Sequence, residues 1–188
     1  MMALSLVIGV LLLAPLASSL PTGIGGSSIQ TAGCNCHNSV ADSSVAANIE
    51  GFPEEYNASE TYELTISFDG GPSQPGNINL GGFNLWASEG VFTPTDGLTS
   101  LWAGSVNEVV HTEAGNDYTS WVVDWTAPES GKEVDFILHV NSVNGDGLQT
   151  GQLDQWNRGT FTIQSSFGLV GEVIPEAPEP FVVLAPLI

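Results

Sequence analysis

The sequence predicts an all-β protein: an antiparallel β-sandwich of about seven or eight short strands, preceded by an apolar leader helix. Three observations predict it. Apolar residues alternate with polar ones in run after run beyond residue 45. β-Branched and aromatic side chains dominate those runs, and Gly, Pro, Asn and Asp separate them. No amphipathic helical window of useful length follows the leader.

In chain order, the first element is "MMALSLVIGVLLLAPLASSLPTG". Its apolar core, followed by Ala17, Ser18 and Ser19, reads as a signal peptide over residues 1–19. It is shorter than the about 20 apolar residues of a membrane span. Residues 20–44 form a cysteine and histidine segment, and residues 45–166 the sandwich domain. "TYELTISF" sets Tyr62, Leu64, Ile66 and Phe68 on one face of a strand. A Gly-, Pro- and Asn-rich loop leads to "GFNLWAS", and "SLWAG" and "NEVVHTE" are shorter candidates. "YTSWVVDWTAP" aligns Trp121, Val123 and Trp125. "KEVDFILHVNSV" aligns Val134, Phe136, Leu138 and Val140, with His139 on the opposite, solvated face. "GTFTIQSS" completes the set. Trp121 and Trp125 are expected in the core, whereas Trp86, Trp102 and Trp156 are expected to line a surface. Residues 167–188 read as an acidic, Pro-rich spacer and a short apolar tail, a truncated surface anchor.

The chain carries 21 acidic residues against two basic ones, a formal net charge of −19. Such a surface repels nucleic acid. It suits a salty medium, a cationic redox partner or another cell-surface protein. Contact with a membrane is expected only through the leader or a C-terminal anchor. No nucleophile elbow, metalloprotease motif or phosphate loop is present, so no enzyme activity is expected.

Chemistry concentrates in "TAGCNCHNS", which holds both cysteines and one of the three histidines. A thiol followed directly by an imidazole is the arrangement in which haem c is bonded and its iron ligated. Cys36 and His37 keep that relation; Cys34 sits one residue closer than the usual spacing. Both methionines lie in the leader, so a second axial ligand must be an imidazole. His111, at a strand end beside a turn, is the favoured candidate over His139. The same four residues, Cys34, Cys36, His37 and His111, would also suit copper or zinc. The third reading is a Cys34–Cys36 dithiol or strained disulfide with no cofactor. Asn141, Asn144, Asp146 and Asp154 offer oxygen ligands for calcium, although a plain Asn/Asp/Gly turn explains them better. Asn57 heads the one Asn-x-Ser/Thr sequon.

The ordered series from the cysteine segment through "IEGFPEEYNASETYELTISF", "GGFNLWASEG", "VVHTEAG" and "SWVVDWTAPESGKEVDFILHVNSVNGDGLQTGQ" resembles the secreted prokaryotic choice-of-anchor V domains, which are similar to the animal Reeler domain. The resemblance runs from about Gly33 to Ile163 and implies an immunoglobulin/Reeler-like sandwich. It also implies a leading Cys-x-x-Cys-His motif for covalent haem, from which Cys34-Asn35-Cys36-His37 departs by one residue. The expected function is that of an exported acidic cell-surface module, carrying electrons through a haem or metal centre. The alternative is a non-enzymatic adhesion or interaction domain without cofactor.

Overall fold

The computed structural model describes residues 21–74, 76–129, 131–146 and 153–166. The leader over 1–19 and the spacer and tail over 167–188 lie outside the described residues. A six-residue helix, α1 (Ser27–Ala32), precedes ten strands. These are β1 (Ala46–Glu50), β2 (Glu55–Tyr56), β3 (Thr61–Asp69), β4 (Gly81–Ala87) and β5 (Val91–Pro94). They are followed by β6 (Thr99–Leu101), β7 (Glu108–His111), β8 (Ser120–Thr126), β9 (Val134–Ser142) and β10 (Gln155–Ser165).

The strands form two sheets, one of four strands in the order β1-β3-β8-β5 and one of six in the order β2-β10-β9-β4-β7-β6. All pairings are antiparallel except β2 with β10, which is parallel. The count of ten corrects the seven or eight expected. The additional strands are β1, β2 and β5: β2 and β5 are too short to show a period of two in sequence, and "AANIE" of β1 carries no alternation of buried and exposed residues.

The core lies between the sheets. Leu64, Ile66 and Phe68 of β3 and Trp121, Val123 and Trp125 of β8 meet Phe83 and Leu85 of β4 and Phe136, Leu138 and Val140 of β9. The alternation that selects these residues sends them all to one side. Trp125 packs edge-on against Phe136, with ring centroids 5.0 Å apart. Its other neighbours are Tyr56 at 5.7 Å and Tyr62 at 6.0 Å.

The six-stranded sheet is buried on both faces over part of its area. Along β9, Leu138 through Ser142 are buried without interruption. In β4, Gly81 through Leu85 are likewise buried. What covers the outer face is the N-terminal segment. Ile29 of α1 is buried, Gly25 abuts Trp102 and Glu108, and Gly33 abuts Trp156. This corrects two expectations. His139 is only 1% exposed and Trp156 only 7% exposed. Period-two alternation marks the outer face as solvated only when nothing lies on it.

Candidate functional site

Between the N-terminal segment and the sheet is a cavity of about 300 Å³. Cys34, Cys36, His37 and His111 all line it. Its apolar wall comes from Pro21, Ile24, Ile29, Ala32, Phe83 and Val143.

Local chemistry shapes the cysteine segment. The Thr31 hydroxyl donates back to the Ser27 carbonyl at 2.9 Å, and the Gly33 amide closes α1 on the Ile29 carbonyl at 2.8 Å. Gly33 turns the chain with φ of +67°, a region open to glycine. The His37 amide then donates to the Cys34 carbonyl at 3.0 Å, forming a turn that carries Cys34 and His37 round together. Two long-range bonds fasten the segment. Trp156 Nε1 donates to the Asn38 carbonyl at 2.7 Å, and the Gly26 amide donates to the buried Glu108 carboxylate at 2.7 Å.

His37 Nδ1 lies 2.8 Å from Asp154 Oδ2. Asp154 is only 2% exposed. Its other oxygen accepts the Asn144 amide at 3.1 Å. Asp154 is among the oxygen ligands weighed for calcium against a plain Asn/Asp/Gly turn; its partner here is the His37 imidazole. Asn144 and Asp146 bond each other, Nδ2 to Oδ2 at 3.0 Å and Asp146 amide to Asn144 Oδ1 at 3.2 Å, as in an Asn/Asp turn. Asn141 lines the cavity, as does Asn84. Each leaves a buried Oδ1 without a hydrogen-bond partner.

His111 ends β7 and packs against Gly82, where an added Cβ would strike the ring. The same Nδ1 lies 3.1 Å from the Phe83 amide nitrogen and 3.2 Å from the Phe83 carbonyl oxygen. Burial lowers its pKa; donation to Phe83 opposes this, and His37 adds to the lowering. His139 does not line the cavity. Its Nδ1 is buried without a partner, and burial, assisted by Arg158, lowers its pKa to about 4.

Both cysteines are free thiols, Cys36 exposed and Cys34 half-buried. Desolvation, followed by the neighbouring Cys36, pushes the Cys34 thiol up to about 12. Among the described residues no group of three or more His, Cys, Asp or Glu side chains is placed to hold a metal ion. The sequon at Asn57 is at the other end of β10. Its side chain is exposed, donating to Glu60 at 2.6 Å and accepting from Ser166 at 2.8 Å.

No helix among the described residues is long and apolar enough to cross a membrane. No family model matches the chain. No curated protein matches it either. Among solved structures it is similar to the Reelin-N domain of F-spondin, with 19% identity, coverage of 70% of this chain and 94% of that one, and a TM-score of 0.43. For a human F-spondin Reeler domain the identity is 19%, the coverage 66% and 90%, and the TM-score 0.42. For a conjugative transposon lipoprotein from Bacteroides eggerthii the identity is 12%, the coverage 65% and 98%, and the TM-score 0.38. The structural neighbours of this β-sandwich thus include Reeler domains and a bacterial lipoprotein.

Proposed function

We propose that this is an exported, non-enzymatic β-sandwich binding module whose cavity would hold haem through the Cys36 thiol and the imidazoles of His37 and His111. One observation carries the reading. Four residues chosen from sequence, three in the cysteine segment and one at the end of β7, line the same cavity. The residues fit the group. The wall is mainly apolar, a thiol and two imidazoles are at hand, and a buried carboxylate holds His37 by Nδ1. At about 300 Å³ the cavity is at the small end of the range for ligand sites.

Haem supplies one-electron redox chemistry when bound. The chain supplies the rest. Cys36, an exposed free thiol, would hold the group covalently. Cys34, desolvated and held as the thiol, is accessory. His37 and His111 offer ring nitrogens, and the apolar wall excludes water. The acidic surface favours a cationic redox partner.

A second reading is an interaction domain without cofactor, favoured by Cys34 and Cys36 standing as free thiols. The visible spectrum separates the two. A Soret band that survives acid–acetone extraction supports haem bonded through Cys36. A colourless protein, after expression with haem-attachment machinery, removes the haem reading and leaves the interaction module.

A further inference from the structure

The two histidines of the cavity are held by chemically different partners. Both use Nδ1, His37 toward Asp154 at 2.8 Å and His111 toward the backbone of Phe83. An ionised carboxylate can only accept. The Phe83 backbone offers a donor at 3.1 Å and an acceptor at 3.2 Å. A neutral imidazole bonded to a carboxylate must therefore carry its proton on Nδ1, which leaves Nε2 with a free lone pair. The same ring bonded to Phe83 is satisfied in either tautomer.

We propose that Asp154 is a positioning residue that fixes the tautomer of neutral His37 and leaves its Nε2 lone pair available to a ligand, while the Phe83 backbone permits either tautomer of His111. This rests on the haem reading only for the identity of the ligated group; the tautomers belong to the protein without it. Asp154 is built for the task. It is 2% exposed, and its second oxygen is held by the Asn144 amide at 3.1 Å. Its backbone carbonyl accepts from the Asn38 side chain at 3.4 Å, beside the imidazole it orients. The residue that sets His37 is 117 positions away in sequence, and it fastens the cysteine segment to the start of β10.

The test is nitrogen-15 NMR of the imidazole side chains in the cofactor-free chain at about pH 8, above the ordinary imidazole range. His37 should show a protonated Nδ1 and a bare Nε2, with that tautomer favoured roughly tenfold or more by its bond to a charged acceptor. In Asp154→Ala the Nε2–H tautomer should take over, and added haemin should bind His37 at least about tenfold more weakly. In Asp154→Asn, whose side chain can donate or accept, both tautomers should appear. A wild-type His37 protonated on Nε2 overturns the proposal, and needs no variant that must fold. If the tautomer is as stated but haemin gives no shifted Soret band, the haem reading fails and the positioning role stands.

Discussion

Gly33 lies so close to the Trp156 indole that a single added carbon would strike the ring. The indole also binds the segment by donating to the Asn38 carbonyl at 2.7 Å. Gly33→Ala therefore meets two penalties, a left-handed backbone and an overfilled contact, together about 2–4 kcal/mol. Urea denaturation should show a lower midpoint, and limited proteolysis should cut near residues 33–40 sooner than in the parent. A midpoint that does not move would mean that the segment is not seated on Trp156.

The two thiols should react at very different rates. Cys36 is exposed, whereas the Cys34 thiol is pushed up to about 12 by burial and by Cys36. The thiolate is the nucleophile. With iodoacetamide at about pH 8, Cys36 should be modified first, and Cys34 at least about a hundredfold more slowly. Equal rates would show that Cys34 is not desolvated.

His139 should make the protein sensitive to mild acid. Burial, with Arg158 assisting, lowers its folded pKa to about 4, below the ordinary value of 6.5. Between those values the unfolded chain binds the extra proton and the folded chain does not. The contribution is complete above pH 6.5 and is lost as the pH falls toward 4, by roughly 1–3 kcal/mol. His111, lowered by burial, adds in the same direction. His139→Gln should flatten the slope of stability between pH 6.5 and 4 relative to the parent. An identical slope in the variant would assign the acid sensitivity to His111 and the carboxylates.

Salt should stabilise the fold. With 21 acidic residues and only Lys132 and Arg158 opposing them, the surface repels itself, and added ions screen that repulsion. The melting temperature should rise by several degrees or more between low ionic strength and about 1 M salt. A flat response would indicate that bound cations already neutralise the acids.

The parts of the fold legible in sequence are those whose burial follows from local order. The alternation in "TYELTISF" and "SWVVDWT" identifies the inward faces of β3 and β8, and Leu64, Ile66, Trp121 and Trp125 are buried as it requires. His139 departs from the expected solvated face: it is buried, with the Trp156 ring centroid 6.3 Å from its own, and a neighbour of that kind leaves no mark in the alternation. Helix α1 was not anticipated, since "SSIQTA" has one buried residue and no acidic first turn. The cysteine segment and His111 at the end of β7, both singled out in sequence, line one cavity. Asp154 was seen as a possible ligand, but its bond to His37 was not, because nothing in a run of Asn, Asp and Gly marks a partner 117 residues away.

The cap over the six-stranded sheet has a consequence for the order in which the chain can fold. Its fastenings join Gly26 to Glu108, His37 to Asp154 and Asn38 to Trp156, across 82, 117 and 118 residues. Contacts of such separation form only after the intervening strands have paired, because the closure of the long loop must be offset by structure already made. The segment synthesised near the beginning is therefore among the last to be seated. Until then Cys34, Cys36 and His37 stand open to solvent, and any reagent or enzyme that modifies them has its widest access before the sandwich is capped.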